Sequence, residues 1–193
     1  MRATQRASSE AMEHKIIFTG PVGAGKTTAI GTVSDIPVVG TEAAATDSVR
    51  NLKAKTTVAM DYGILNIGEG RKVHLYGTPG QERFSFMWDI LAEGAMGLVL
   101  LANNAASNPL AELDFYVNSF KRFLARSGNA LVVGVSRLES APEPRLDAYR
   151  VRLRAMNLNV PVLEVDPRRR EDVKQLLLAL LALLDPTVRR RAS

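Results

Sequence analysis

The chain has 193 residues, 46% of them hydrophobic and 23% charged, which is the ordinary composition of one compact domain with a full core. Cysteine is absent, which excludes disulfides, thiolate metal sites, catalytic thiols and cysteine-linked lipid anchors. The net charge of +5 is carried in short arginine clusters, which we interpret as solvated helix faces and tails and not as a nucleic-acid surface.

No apolar run approaches the roughly 20 residues of a membrane-spanning helix, and the first residues lack a secretory apolar stretch. We therefore expect a cytoplasmic protein without an integral membrane segment. Residues 1–13 are predicted to be a disordered extension and residues 186–193 a basic tail, around one domain over residues 14–185.

Between these ends, short apolar runs alternate with helical patterns, the order typical of a sheet wrapped by helices. In chain order the predicted elements are the strand IIFTG, a helix from Lys26, the strands TVAMDYGIL and KVHLYG, a helix from Glu82, the strand GLVLLA, a helix over residues 110–125, the strand ALVVGV, a helix within residues 145–156, the strand VPVLEV and a helix over residues 171–184. A turn-like stretch around Gly70 predicts an antiparallel hairpin. We expect an α/β fold: a mostly parallel central sheet with one antiparallel edge strand and helices on both faces.

Residues 20–27 read G-P-V-G-A-G-K-T and match the phosphate-loop pattern G-x-x-x-x-G-K-[ST] at every fixed position, between a strand and a helix. The glycines let backbone N–H groups point at phosphates, Lys26 can reach the β- and γ-phosphates, and the Thr27 hydroxyl can ligate Mg²⁺. The predicted phosphate-binding residues are Gly20, Pro21, Val22, Gly23, Ala24, Gly25, Lys26, Thr27 and Thr28.

Residues 77–83, G-T-P-G-Q-E-R, resemble the D-x-x-G-Q-E segment of Ras-like GTPases. The resemblance implies a Ras-like P-loop NTPase domain that hydrolyses GTP to GDP with Mg²⁺. It implies that the Gly80 N–H senses the γ-phosphate and that Gln81 orients the attacking water, with Lys26 as a further catalytic residue. Gly77 departs from the pattern, because the family usually has an aspartate there that holds Mg²⁺ through water.

The stretch over residues 56–88 resembles one bacterial branch, the MglA-type Ras-like GTPases and their relatives in conservon operons, in which this aspartate is usually missing. The resemblance covers residues 14–184. It implies that Thr57, or failing that Thr56, is the switch threonine that meets Mg²⁺ and the γ-phosphate. It also implies activation by a roadblock/LC7-type protein, an effector at the switch regions, a role in signalling or cell polarity, and no more than peripheral membrane recruitment through a partner.

The residues leave two features of this site open. Asp61, on the neighbouring strand, either helps to hold Mg²⁺ in place of the missing aspartate or is an outward-facing solvated side chain. Branch members often have an arginine where this chain has Thr56, so Arg50 and Arg83 are the remaining candidates for an arginine finger. Both arginines also fit the description of solvated surface charges.

Ras-like GTPases read guanine with an [NT]-K-x-D segment after the fifth strand, where this chain has S-R-L-E. The resemblance implies that Glu139 accepts hydrogen bonds from the guanine ring, that Arg137 covers the base, and that Ser136 hydrogen-bonds the loop. The alternative interpretation is a polar loop with relaxed or adenine specificity.

The second base-contacting loop of the family corresponds to Asp166, Pro167 and Arg168. A backbone N–H near Pro167 or Arg168 is expected to bind guanine O6, and Arg168 could replace the lysine that packs near the base.

An apolar cluster follows Gln81 directly: Phe84, Phe86, Met87 and Trp88. A helix would direct at least two of these side chains into the core, and the others are interpreted either as further packing or as a nucleotide-gated partner surface. The leucine-rich end of the chain is predicted to be a buried terminal helix and not a membrane anchor.

The leading hypothesis is a Mg²⁺-dependent GTPase switch with a low intrinsic rate and GTP and GDP as substrate and product. One alternative is a nucleotide-binding adaptor with negligible hydrolysis that docks a partner through the cluster around Trp88. The other is an ATP-specific P-loop protein.

Overall fold

The computed structural model describes residues 14–40 and 60–184. Arg50, Thr56 and Thr57 lie outside the described residues, so the switch threonine and one candidate arginine stay predictions. The same holds for the extension over residues 1–13 and the tail over residues 186–193.

Within the described residues, seven strands form one sheet: β1 (His14–Thr19), β2 (Val39–Gly40), β3 (Asp61–Asn66), β4 (Lys72–Gly77), β5 (Gly97–Asn103), β6 (Leu131–Ser136) and β7 (Val162–Glu164). Their spatial order is β2-β3-β4-β1-β5-β6-β7. β3 pairs antiparallel with both of its neighbours, and the other pairs are parallel. The predicted mostly parallel sheet and its antiparallel hairpin are confirmed, whereas the two-residue β2 beyond that hairpin was not predicted.

Helices cover both faces of the sheet: α1 (Lys26–Val33), α2 (Trp88–Leu91), α3 (Pro109–Ser119), α4 (Lys121–Ser127), α5 (Leu146–Ala155) and α6 (Arg170–Leu184). The helix predicted from Glu82 begins as a 3₁₀ helix (Glu82–Met87) and becomes α-helical at Trp88. The helix predicted over residues 110–125 is two helices that meet at Phe120. The break follows Ser119, whose hydroxyl donates to the Phe115 carbonyl, a local bond that competes with helical hydrogen bonding.

Alternate strand positions supply two separate cores. Ile16 and Phe18 face the core beneath α1 and α6, and Ile17 faces the core beneath α2 to α5. α6 is the predicted terminal packing helix, and its buried positions are Val173, Leu176, Leu177 and Leu180. None of the described helices is long and apolar enough to cross a membrane.

The apolar cluster after Gln81 divides between core and surface. Trp88 is completely buried and stacks on Phe120 and Tyr116, with ring centroids 5.5 and 5.0 Å away. Met87 is buried beside it, so the expectation that at least two members face the core is confirmed. Trp88 itself has no exposed surface, so a partner that binds this cluster would contact its exposed members.

The exposed part of this segment is formed by Phe86 and Ile90, which leave 63% and 47% of their surface open to solvent. We call these two residues the Phe86–Ile90 surface.

The carboxyl ends of the parallel strands meet at one edge of the sheet. Because β3 runs in the opposite direction, its first residue, Asp61, lies at that same edge, directly opposite Gly77 at the end of β4. Ligands of open α/β sheets bind at this edge, and the loops that contain the predicted site residues start here.

Candidate nucleotide-binding site

The phosphate loop between β1 and α1 requires glycine at two points. Gly20 has a φ of 135°, and a Cβ there would lie 2.1 Å from the Leu101 carbonyl oxygen. Gly25 has a φ of 97°, and its Cβ would lie 2.6 Å from Cγ of Pro167. A side chain at either position would displace backbone or the neighbouring loop, so these two glycines fix the path of the phosphate loop.

The start of α1 is open to an anion. Gly25 is the N-cap of α1, no side chain caps it, and no acidic residue lies in the first turn. The N–H groups of the first turn lack helical partners, and the helix dipole adds a partial positive charge there. A phosphate group is the ligand that such a helix start favours.

Lys26 is nearly buried at the centre of the loop, and its Nζ donates to the carbonyl oxygens of Gly20 and Pro21 at 2.7 Å each. Burial lowers the pKa of Lys26 to about 8, against a smaller opposite effect of the Asp61 carboxylate. The ammonium group is therefore charged at neutral pH and held where a phosphate would replace carbonyl partners.

Asp61 faces into the site, so the alternative of an outward-facing solvated side chain is wrong. Thr27 Oγ1 donates to Asp61 Oδ2 at 2.6 Å. A Cβ on Gly77 would lie only 3.0 Å from both Cβ and Oδ2 of Asp61. The Asp61 carboxylate thus lies directly against the strand position where the resembling family usually has an aspartate, and the absence of a side chain at Gly77 makes room for it.

These two oxygen donors fit Mg²⁺, which is usually held by one or two carboxylates together with substrate phosphates and water. Among residues 14–40 and 60–184 no group of three or more histidine, aspartate or glutamate side chains could hold a metal ion. A metal here would depend on Thr27, Asp61 and the oxygens of a bound phosphate.

Gly80 approaches the phosphate loop closely. A Cβ on Gly80 would lie 2.7 Å from both Lys26 Nζ and the Val22 backbone nitrogen. On the other side, the Tyr116 hydroxyl of α3 donates to the Gly80 carbonyl at 2.8 Å. Burial, followed by the carboxylates of Glu112 and Glu82, raises the pKa of Tyr116, so this hydroxyl remains a donor.

Gln81 and Arg83 lie at the mouth of the site. The Gln81 side chain is exposed and makes no hydrogen bond to the described residues. The Arg83 guanidinium lies over the ring of Phe84, 4.8 Å from its centroid. Both side chains are therefore near the phosphate loop without being fixed against it.

The first segment that is predicted to contact the base is attached to the phosphate loop. Ser136 Oγ is buried and donates to the carbonyl oxygens of Ala102 and Ala24, at 3.1 and 3.4 Å. Arg137 has a φ of 65°, and its Nη2 donates to the Gly23 carbonyl at 3.2 Å. The Ser136 hydroxyl thus bonds the phosphate loop, and the Arg137 guanidinium, which was predicted to cover the base, is directed at the phosphate loop.

The second loop that is predicted to contact the base, after β7, faces Glu139 of the first. Arg168 Nη2 lies 3.6 Å from Glu139 Oε1 and 2.7 Å from Asp166 Oδ2. Hydrogen bonds from Arg168 lower the pKa of Asp166 to about 2. The expected backbone donor to a base is missing, because Pro167 has no N–H and the Arg168 N–H is already donated to Asp166 Oδ1 at 3.0 Å.

Most of these groups line one open cleft of about 1490 Å³, which is large enough for a nucleotide. The cleft joins residues 22–28, Gly80, Gln81 and both base-reading segments. Gly20 and Pro21 lie behind it and hold Lys26. Sequence reasoning missed the contact of Tyr116 with Gly80, for which the sequence has no signal.

The family model described as "Conserved hypothetical ATP binding protein" matches residues 38–179, well over half of the chain. The chain belongs to this family. The match begins after the phosphate loop, and includes Asp61, the segment around Gln81 and both base-reading segments.

Two curated relatives match parts of the chain. The chain is 34% identical over 91 residues to an uncharacterized protein of Methanocaldococcus jannaschii. The aligned region covers 46% of this chain and 51% of that protein. The chain is also 24% identical over 132 residues to the Ras-related protein SEC4 of Candida albicans. This aligned region covers 67% of this chain and 62% of that protein. The matches thus span about half to three fifths of these relatives.

Among solved structures, the G domain of the T. maritima FeoB iron transporter aligns with a TM-score of 0.61 and 16% identity, over 90% of this chain and 99% of that one. The family member described here therefore has the α/β P-loop fold of a Ras-like G domain. The cleft at its sheet edge can hold the phosphates of a nucleotide at one end and its base at the other.

Proposed function

We propose that this protein is a Mg²⁺-dependent molecular switch that binds GTP, hydrolyses it to GDP and acts in bacterial signalling or cell polarity. The observation that carries the proposal is the close approach of Gly80 to the phosphate loop. A Cβ added to Gly80 would lie 2.7 Å from Lys26 Nζ and 2.7 Å from the Val22 backbone nitrogen. A γ-phosphate on Lys26 would press directly on the Gly80 peptide, so the segment that follows Gly80 would differ between the two nucleotide states.

At the phosphate end, the open start of α1 and the Lys26 ammonium bind the charge of the triphosphate. Thr27 and Asp61 would hold Mg²⁺, with Thr57 as a further ligand in the nucleotide-bound state. When bound, the metal neutralises charge on the phosphate oxygens. Asp61 also keeps the Thr27 hydroxyl oriented towards the site through their 2.6 Å hydrogen bond.

Hydrolysis would depend on Gln81, whose carboxamide orients the attacking water beside the γ-phosphate. Its side chain is exposed and makes no hydrogen bond to the described residues, and Arg83 is stacked on Phe84. Because neither group is fixed for the reaction, we expect slow intrinsic turnover that a partner accelerates by ordering this segment.

The Phe86–Ile90 surface supports partner binding at this segment. It follows Gln81 directly, and its two large apolar side chains are exposed without a covering group among the described residues. A roadblock/LC7-type activator and an effector are the partners that the resemblance to the MglA-type branch suggests.

The proposal is tested by phosphate release from GTP with Mg²⁺, with and without a roadblock-type protein. We expect a slow basal rate, acceleration by the partner, and loss of most of that acceleration in Gln81→Ala. Asn118→Ala, which removes a carboxamide from an exposed position of α3 outside the cleft, serves as the control for the substitution itself. The switch-enzyme proposal fails if Gln81→Ala changes neither rate.

A second candidate is a nucleotide-binding adaptor with negligible hydrolysis, and it is favoured because the Gln81 side chain makes no hydrogen bond to the described residues. The same assay separates the two, because the adaptor would bind GTP tightly and release no phosphate even with the partner.

A third candidate is an ATP-specific P-loop protein, because the family is described as ATP-binding. Calorimetric titration with GTP and ATP decides it, since tighter binding of ATP would contradict the guanine assignment.

A further inference from the structure

The loop after β7 has no backbone N–H group free to contact a base. The Asp166 N–H donates to Asp172 Oδ2 and the Arg168 N–H to Asp166 Oδ1, both at 3.0 Å. The Arg169 N–H donates to the Asp166 carbonyl at 2.9 Å, and Pro167 has no N–H. A base bound here must find another donor.

This loop is also fixed in position. The Pro167 ring lies against the phosphate loop, where a Cβ on Gly25 would be 2.6 Å from Pro167 Cγ. The Pro167 carbonyl accepts a hydrogen bond from Thr32 Oγ1 of α1 at 2.9 Å. Releasing a backbone N–H towards the base would break several of these contacts at once.

The Arg168 side chain supplies donors at the same point. Its Nε and Nη2 both donate to the Asp166 carboxylate, at 2.9 and 2.7 Å. This bidentate pair uses two of the five guanidinium N–H groups, so three remain. Because Arg168 holds the pKa of Asp166 near 2, the carboxylate is ionised at neutral pH and keeps the guanidinium in place.

Glu139 completes a donor–acceptor pair that fits one base edge. Arg168 Nη2 and Glu139 Oε1 lie side by side, 3.6 Å apart. Guanine presents an acceptor, O6, next to a donor, the ring N1–H, whereas adenine presents an amino donor next to an unprotonated nitrogen. A guanidinium beside a carboxylate matches guanine, and both groups would face the wrong partner on adenine.

We propose that the Arg168 guanidinium, oriented by Asp166, donates to guanine O6 in place of a backbone N–H and makes the site prefer guanine to adenine. The inference rests on the proposed binding of guanine nucleotides and names the residue that selects the base.

The test is calorimetric titration of the full chain and Arg168→Ala with GDP, ADP and IDP, which lacks the 2-amino group of guanine. We expect Arg168→Ala to weaken GDP binding roughly 10- to 100-fold, the effect of losing one charge-assisted hydrogen bond, and to change ADP binding by less than about twofold. The preference for GDP over IDP should stay within about twofold, because in this binding mode Glu139, and not Arg168, would face the 2-amino group.

Arg126→Ala is the charge-matched control, since Arg126 lies in the last turn of α4 at the opposite edge of the sheet. Arg168 is 72% exposed, so we expect its replacement to leave the thermal midpoint nearly unchanged. Unchanged preference for GDP over ADP in Arg168→Ala would overturn the inference. So would a parallel fall in the preference for GDP over IDP, because Arg168 would then merely position Glu139.

Failure of the proposed function gives a different result. Wild-type protein that binds ADP at least as tightly as GDP would contradict the guanine assignment before any variant is compared.

Discussion

At the scale of single residues, the pair formed by Asp61 and Gly77 would let a site without the usual aspartate hold the proposed Mg²⁺. The carboxylate comes from the adjacent antiparallel strand, and the missing side chain at position 77 leaves the space that it needs. The two positions thus form a single arrangement, and an aspartate at both would place two carboxylates in one small volume.

Asp61→Asn should raise the Mg²⁺ concentration needed for half-maximal retention of GDP by roughly 10-fold or more. The reason is that it removes the negative charge beside Thr27 while keeping the shape of the side chain. Release of a fluorescent GDP analogue, measured across a Mg²⁺ titration, gives this half-maximal Mg²⁺ concentration. Asp89→Asn, an exposed carboxylate on α2, is the control, and equal Mg²⁺ dependence in the two variants would contradict the assigned role of Asp61.

Lys26 makes nucleotide binding depend on pH in a defined direction. Burial lowers the pKa of Lys26 to about 8 in the free protein, and bound phosphates favour the charged form. Below about pH 7 the lysine is already protonated, so the affinity is constant. Above pH 8 binding must take up a proton, and the affinity should fall by up to tenfold per pH unit.

The measurement is the dissociation constant of GDP between pH 6.5 and 9.5. Lys26→Arg retains a charge throughout this range, so its affinity, although weaker, should not vary with pH in the same way. A flat profile for the wild-type protein would show that Lys26 does not lose its proton in the free site.

At the scale of elements, α3 connects the core to the segment after β4. Tyr116 donates to the Gly80 carbonyl and stacks on Trp88, which is the single tryptophan of the chain. The 3₁₀ helix and α2 begin just beyond that bond. A displacement of Gly80 by a γ-phosphate would therefore alter the surroundings of a natural fluorophore.

We expect Trp88 fluorescence to change when GDP is replaced by a non-hydrolysable GTP analogue, and Tyr116→Phe to reduce this change by at least half. The ring and its stacking remain in the variant, but the bond to Gly80 is lost. Tyr149→Phe is the matched control, because that buried hydroxyl donates to Asn104 in another loop. Equal responses in the two variants would mean that the bond to Gly80 does not transmit the change.

At the scale of the whole molecule, the alternation of apolar runs and helical patterns was enough to predict the α/β order. The phosphate loop was predictable residue by residue, because its glycines have strict backbone requirements. The position of Asp61 was open to the same reasoning: counting outwards from the turn at Glu69 pairs Asp61 with Gly77. The bond from Tyr116 to Gly80 depends on packing between distant elements, which local patterns do not describe.

In the loop after β7, which is predicted to contact the base, one feature was predictable from the sequence and another was not. That Pro167 cannot donate follows from its identity alone. That Asp166 accepts the Arg168 N–H and also binds its guanidinium depends on the local path of the chain, which the sequence did not predict.

The most direct test of the central claim follows one nucleotide pool through one turnover. The protein is incubated with equal concentrations of GTP and ATP in Mg²⁺, freed of unbound nucleotide, denatured at intervals and analysed by chromatography. The account predicts bound guanine nucleotide in large excess, with GTP converted slowly to GDP. Bound adenine nucleotide, or GTP that stays intact at every interval even with an added partner, would contradict it.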